Sequence, residues 1–264
     1  MPTHVAVVGA YGSAGAAVAE RLADDPEITV TLIDDGEPGG GLCILRGCMP
    51  SKEVLSAAEH RFAARHDERL TGAVPNVDLD AVVDRKDEHT SNFAAHRRAG
   101  VERLTERDGV RFVHDTARFV DDGRLAVGGQ TIDPDYVVIA TGSTTNLPSL
   151  PGIDDVEVLT RADVLDATSF GDTLLEYYRD VFDVDVLTQT DEQRVEPTDA
   201  GGVRLHVTRD GVDETIEADQ LFAFTGRRPT LDRLGLDETA LEPGPGWVEA
   251  TMQARDDDRV FVVG

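Results

Sequence analysis

The first 35 residues constrain the fold more than any other stretch of the chain. Val5-Ala6-Val7-Val8 is a short apolar run, Gly9-Ala10-Tyr11-Gly12-Ser13-Ala14-Gly15 is a glycine-rich turn, and a helical pattern runs from about Ala14 to Asp24. Ile28-Thr29-Val30-Thr31-Leu32-Ile33 reads as a second strand and closes on Asp34-Asp35. Strand, turn, helix, strand and acid in that order make half of a nucleotide-binding βαβ unit. Closely spaced glycines let backbone amides approach a pyrophosphate at a helix N-terminus, where unpaired N–H groups and the helix dipole favour negative charge. The strict G-x-G-x-x-G pattern is not met. Gly12 and Gly15 fit its second half, Ala10 stands at its first glycine, and Gly9 lies one residue earlier. The turn alone leaves open a dinucleotide cradle and a tight empty turn. Asp34 stands where an acid accepts from an adenosine ribose hydroxyl, with a solvated loop acid as the alternative.

Further along, the alternation of strands and helices predicts an α/β fold. Glycines at 39 to 41 lead into Cys43, a helix from Ser51 to about Arg65, and a charged helix from about Val77 to Arg107 with apolar positions at Val82, Phe93, Val101 and Leu104. Strands are expected at Arg111–Phe119 and Arg124–Val127, and Tyr136-Val137-Val138-Ile139-Ala140 is a continuous apolar run of the kind buried in a parallel sheet. That run stops at Thr141-Gly142, and Pro148, Pro151 and Gly152 mark a boundary. Residues 153–229 read as a smaller α/β segment, with a hairpin at Val203–Val207 and Glu214–Glu217 and a strand at Gln220–Phe224. Val260–Val263 forms a last strand before Gly264. The expected division is 1–152, 153–229, and 230–264 returning to the first domain.

The two cysteines, Cys43 and Cys48, sit five apart within Gly40-Gly41-Leu42-Cys43-Ile44-Leu45-Arg46-Gly47-Cys48-Met49-Pro50-Ser51-Lys52. Two thiols bridge when their Cα atoms lie within about 7 Å, which a bent turn at the head of a helix allows. The same helix end lowers a thiol pKa. Spacing alone leaves three readings: a redox pair, inert buried thiols, or a metal site. Zinc needs further ligands, and none stand at a recognisable spacing.

The string from Gly40 to Lys52 resembles the signature of the class I pyridine nucleotide-disulfide oxidoreductases, the family of dihydrolipoyl dehydrogenase, glutathione reductase and mercuric reductase. Flanking motifs agree. Gly12-Ser13-Ala14-Gly15 looks like the family's FAD pyrophosphate turn, Asp34 stands in the place of its ribose-binding acid, and Ala140-Thr141-Gly142-Ser143 matches its second flavin motif. Gly226-Arg227-Arg228-Pro229 matches the element that ends the NAD(P) domain, and Val260–Gly264 resembles the start of the strand that holds the flavin's ribityl and phosphate region. The resemblance implies a Rossmann-like FAD domain of three layers (β-β-α) and a partial NAD(P)-binding domain. It implies that Cys43 is the interchange thiol, that Cys48 faces the isoalloxazine as the charge-transfer thiolate, and that Lys52 approaches the flavin N5. Gly41 and the backbone of Thr116-Ala117 complete the cofactor contacts, Ala117 toward the adenine. The implied activity is FAD-dependent electron transfer between NAD(H) or NADP(H) and a small or protein-bound disulfide. Dihydrolipoyl dehydrogenase is the best match, because its pattern needs no further cysteines; mercuric and glutathione reductases are the alternatives, with a truncated flavin-binding paralogue beside them.

Two segments of the family pattern are expected to be missing. After Ser169-Phe170-Gly171-Asp172 the family supplies a strand and a second glycine-rich turn for NAD(P), whereas this chain passes to Thr173-Leu174-Leu175-Glu176-Tyr177-Tyr178, which resembles a later helix. The C-terminal domain, which in the family supplies a catalytic His–Glu pair and most of a homodimer contact, is the second segment expected to be missing. His4, His60, His66, His89, His96, His114 and His206 are scattered with no acid at a recognisable spacing, so they read as surface or structural.

Charge restricts the partners. Fifty-one acidic residues face 25 basic ones, a formal net charge of -26, and Lys52 and Lys86 are the only lysines. Such a field repels nucleic acid and anionic membrane. It resembles the hydrated shell of cytoplasmic proteins from salt-loving archaea, where molar salt screens self-repulsion. No apolar run of about 18 residues and no signal peptide occur, so a cytoplasmic location is expected.

Overall fold

The structure, a computed structural model, describes residues 1–37, 39–166, 187 and 189–264. In chain order its elements are β1 (Thr3–Val8), α1 (Ser13–Leu22), β2 (Ile28–Ile33), α2 (Leu42–Leu45), α3 (Cys48–His66), α4 (Leu79–Thr105), β3 (Val110–Val113), β4 (Ala117–Asp121), β5 (Arg124–Val127), β6 (Gln130–Ile132), β7 (Tyr136–Ile139) and β8 (Ser143–Thr145). They continue with β9 (Val158–Leu159), α5 (Arg161–Asp166), β10 (Thr190–Pro197), β11 (Val203–Arg209), β12 (Val212–Ala218), β13 (Leu221–Phe222), β14 (Arg227–Pro229) and β15 (Val260–Val262). The helix-like stretch at Thr173–Tyr178 and the preceding Ser169–Asp172 lie outside the described residues. Two compact units divide the chain: Met1–Glu53, Arg85–Thr144 and Arg228–Gly264 form one, Val54–Asp84 and Thr145–Arg227 the other.

The first unit is built on a five-stranded parallel sheet in the order β15-β7-β1-β2-β3. Side chains alternate between the faces of a strand, so a sheet covered on both sides needs apolar residues at every position. Val5 and Val7 therefore join Val30, Leu32 and Val138 in one buried cluster with Ala19 of α1 and with Val101 and Leu104 of α4. Ala6 and Val8 join Ile33, Val137, Ile139 and Val260 in a second cluster with Phe119, Leu125 and Val127 of the antiparallel meander β4-β5-β6. Helices, parallel sheet and meander make the expected three layers.

Two expectations fail here for local reasons. The single strand expected at Arg111–Phe119 is two strands in different sheets, because the chain turns at His114–Thr116. Asp115 accepts the Thr116 N–H at 2.7 Å and the Thr116 hydroxyl donates to Asp35 at 3.1 Å, which holds the turn. Phe93 is 45% exposed, since the buried stripe of α4 runs through Lys86, Ala94, Val101 and Leu104.

The second unit contains the antiparallel sheet β10-β11-β12 and the parallel pair β9-β13, over a small core of Leu150, Val195 and Val203. The expected hairpin is β11–β12. No sequence pattern announces β10, whose residues are mostly polar with Val195 alone buried. Gly152 (φ +83°) packs so close to that strand that a Cβ would stand 2.0 Å from the Val195 carbonyl oxygen. Among the described residues no helix is long and apolar enough to cross a membrane.

A polar exception in the first sheet gives a pH prediction. Thr31, 1% exposed, shares its hydroxyl between His4 Nε2 and Arg111 Nε, each at 2.8 Å. Burial, then the Arg111 charge, hold the His4 pKa below its ordinary 6.5, against an opposing pull from Asp135. The folded chain therefore binds this proton less readily than the unfolded one, and stability rises with pH across the window. The contribution is complete above 6.5 and is lost as pH falls through the lower folded value. Melting curves on either side of that window should show a shallower pH slope for His4→Gln than for the parent; equal slopes would remove His4 from the account.

Candidate active site

The glycine-rich turn sits at the carboxyl ends of the parallel strands, where open α/β sheets bind ligands. Gly9 has φ +99°, and a Cβ there would stand 2.2 Å from the Ala140 carbonyl oxygen at the end of β7. A Cβ on Gly15 would stand 2.1 Å from the Gly9 carbonyl oxygen. The turn thus uses Gly9, one residue before the register of the standard motif, for the close approach. Gly12 is the N-cap of α1, without a side-chain capping bond and without an acid in the first turn. The amides of Ser13, Ala14 and Gly15 are left for a ligand, and the helix dipole favours an anion there. Gly41, at φ +128°, packs against this cap, its would-be Cβ 3.0 Å from Gly12 Cα.

Other expected residues collect at the same end. Asp34 accepts the Tyr11 N–H on Oδ2 and the Gly36 N–H on Oδ1, each at 2.8 Å, so it first serves to brace the turn. One lone pair remains on each of its oxygens. The Thr141 hydroxyl donates to the Thr230 carbonyl at 2.7 Å, and the Thr230 N–H donates to the Gly142 carbonyl at 2.9 Å. A Cβ on Gly264 would stand 3.9 Å from both Ala14 Cβ and Gly142 Cα, so β7, β15 and α1 converge. Ala117 differs: its side chain is buried with the meander core and its backbone pairs with Val127. These features fit a dinucleotide: close-packed glycines, uncapped helix-end amides, and no carboxylate in the first turn of α1.

The cysteines lie beside this cradle. Cys43 is in α2 and Cys48 opens α3; they form a disulfide with Cα atoms 5.0 Å apart. Gly47 makes the return possible, because a Cβ there would stand 2.5 Å from the Leu42 carbonyl oxygen. Ser51 Oγ donates to the Gly47 carbonyl at 2.6 Å, tying the loop to the helix. Cys43 is half-buried, Cys48 exposed, and no acid occupies the first turn of α3. When reduced, Cys48 would hold a thiolate at a helix N-terminus. Lys52, exposed, lies four residues on and so on the same helix face. Among the described residues no cluster of acids, histidines or cysteines could hold a metal.

A clamp that no sequence motif announces lies behind this helix. Glu53 accepts Arg85 Nε at 2.5 Å and faces His89 Nδ1 at 2.8 Å, both from α4. His89 therefore has an acid partner, as does His206, which faces Glu196 at 3.1 Å with Arg194 and Arg204 on the same carboxylate. Those partners hold Glu196 down at about 2. Tertiary packing supplies both pairs across chain separations that no short motif records. Because the Glu53 partners are largely exposed, Glu53→Ala is expected to cost about 1 kcal/mol, read by denaturant unfolding. No change would mean the clamp does not hold α3 against α4.

The sequence matches the family described as "Pyridine nucleotide-disulphide oxidoreductase" over residues 3–173. The chain belongs to this family. Its relatives include the dihydrolipoyl dehydrogenase of Halobacterium salinarum, 28% identical over 99% of this chain and 65% of that protein. The mercuric reductase of Staphylococcus aureus is 27% identical over 88% of this chain and 50% of its own length. The chain thus spans less than two thirds of these relatives. The first alignment runs over 315 positions against 264 residues here, so that relative carries internal segments that this chain does not. In fold, the chain is similar to the HOCl-induced flavoprotein disulfide reductase RclA of Escherichia coli, with a TM-score of 0.75 at 19% identity, over 99% of this chain and 65% of that one.

Proposed function

We propose that the chain is the flavin and dithiol portion of an FAD-dependent NAD(P)(H):disulfide oxidoreductase, most like dihydrolipoyl dehydrogenase. The observation that carries the reading is the Cys43–Cys48 disulfide at the head of α3, one glycine contact (Gly41 on Gly12) away from an uncapped dinucleotide turn. FAD, when bound, would supply the two-electron relay between the dithiol and NAD(H) or NADP(H). The amides of Ser13, Ala14 and Gly15 would hold its pyrophosphate, Asp34 a ribose hydroxyl, and Thr141, Gly142 and Gly264 the middle of the molecule, with the Ala117 backbone toward the adenine. Lys52 would place a cation beside it, favouring negative charge.

The chemistry of the protein's own groups is thiol–disulfide exchange. A substrate thiolate attacks Cys43 Sγ, the Cys43–Cys48 bond breaks, and Cys48 leaves as a thiolate stabilised by the helix end. The second substrate thiolate then attacks its own sulfur in the mixed disulfide and releases Cys43. Two electrons pass to the cysteine pair, and the substrate departs as a disulfide. A lipoyl dithiol, small or protein-bound, is the proposed partner, and a homodimer the proposed assembly of the whole protein. The charge of -26 argues against nucleic acid and anionic membrane. Together with the similarity to a Halobacterium enzyme, it supports a cytoplasmic role in thiol redox balance in a salt-loving archaeon.

Mixing the oxidised protein with dihydrolipoamide without oxygen, then alkylating and weighing it, tests this reading. Gain of two alkyl groups, one each on Cys43 and Cys48, is expected. A pair that dithionite reduces but dihydrolipoamide leaves intact would sink the lipoyl assignment.

A further inference from the structure

The sheet face that carries Ala6, Val8 and Ile33 into the meander changes character toward the amino ends of its strands. The period-two alternation puts His4 of β1, Thr29 and Thr31 of β2 and Arg111 of β3 on that same face. In register, His4 lies beside Thr29, and Thr31 beside Arg111. A groove of about 520 Å³ opens there, its other walls including Pro2 and Val110. It lies at the opposite end of the strands from the glycine-rich turn, and the proposed redox chemistry does not use it.

Three observations define what this groove accepts. No carboxylate lines it, although 51 of the 264 residues are acidic. Asp135, outside the lining, accepts the His4 backbone N–H on its carboxylate at 2.7 Å and pulls the His4 pKa upward, against burial and Arg111. Arg111 gives its Nε to the buried Thr31 hydroxyl and makes no ion pair among the described residues, so one hydrogen bond fixes the guanidinium and leaves its terminal nitrogens available. His4 Nε2 pairs with the same Thr31 hydroxyl at 2.8 Å, which fixes the ring and leaves Nδ1 as its second nitrogen. The groove therefore offers a guanidinium fork, the His4 imidazole and the Thr29 hydroxyl over apolar walls. Its volume is in the range of small-molecule sites. We propose that it binds a small organic anion, a carboxylate or a phosphate monoester on a compact apolar body, through Arg111 and His4. An arginine fork pairs with either anion by two parallel hydrogen bonds.

Isothermal titration of the oxidised full chain with benzoate, phenyl phosphate and neutral benzamide, at constant KCl, tests the proposal. At least one anion is expected to bind at about millimolar concentration while benzamide does not. The tighter of the two tells carboxylate from phosphate. Arg111→Gln should weaken the anion about tenfold, and Thr31→Val, which keeps the charge but frees the guanidinium, should weaken it about threefold. A His4 imidazole resonance that moves on titration with the anion, and not with benzamide, reports the site directly in the parent chain. Absence of anion binding, equal response to benzamide, or an unchanged affinity in Arg111→Gln would overturn it.

Discussion

Gly15→Ala is expected to yield a chain that retains no flavin and has lost about 3 kcal/mol or more of stability. The added methyl would stand 2.1 Å from the Gly9 carbonyl oxygen and 2.9 Å from its carbon, so backbone must move at the one place where β1 hands over to α1. Gly9 cannot yield, because it is itself wedged against Ala140 at φ +99°. Moving α1 displaces the amides that the proposed function assigns to the pyrophosphate, so stability and cofactor affinity fall together. Gly100→Ala in α4 is the control: its nearest neighbour is an Arg103 side-chain nitrogen at 3.8 Å, and alanine is the better helix former by roughly 1 kcal/mol. Denaturant unfolding and FAD titration of the two variants should move stability in opposite directions. Retention of FAD by Gly15→Ala would mean that the cofactor is held elsewhere.

Cys43→Ser and Cys48→Ser are each expected to cut disulfide exchange by about 1,000-fold or more, because each removes one of the two sulfurs that the exchange cycle needs. Cys43→Ser leaves a helix-end thiol at Cys48, and Cys48→Ser leaves a half-buried thiol at Cys43. Iodoacetamide should therefore label the first faster at neutral pH, which a purely structural disulfide would not require. The double variant should be no worse than either single one, since the pair acts as a unit. Additive losses would mean that the two sulfurs work independently.

What could be read from the sequence, and what could not, divides along physical lines. β1 and β7 were legible because strands buried on both faces carry unbroken apolar runs, Val5–Val8 and Val137–Ile139, and β2 because its residues are nearly all β-branched or apolar. The cysteine loop was legible because its chemistry is carried by residues within one turn and one helix end. Gly9 was visible but assigned to no role, since its function depends on Ala140, more than a hundred residues later. β10 was hidden because an exposed strand with a single buried residue has no hydrophobic period. The Glu53–Arg85–His89 clamp was hidden for a related reason: in a chain so rich in acids, one more glutamate carries no signal until helix packing chooses its partners. The break at His114–Thr116 escaped because apolar residues resume at Ala117 and Phe119 after only three polar ones, while the sheet changes.

The central claim, that flavin and the Cys43–Cys48 pair form one redox unit, is tested most directly by an anaerobic dithionite titration of the FAD-loaded chain in molar KCl, followed by absorption. The account predicts that four electrons are needed to bleach the flavin, two of them going to the disulfide, with a long-wavelength band after the first two as Cys48 becomes a thiolate. Bleaching with two electrons and no such band, the disulfide surviving, would contradict it.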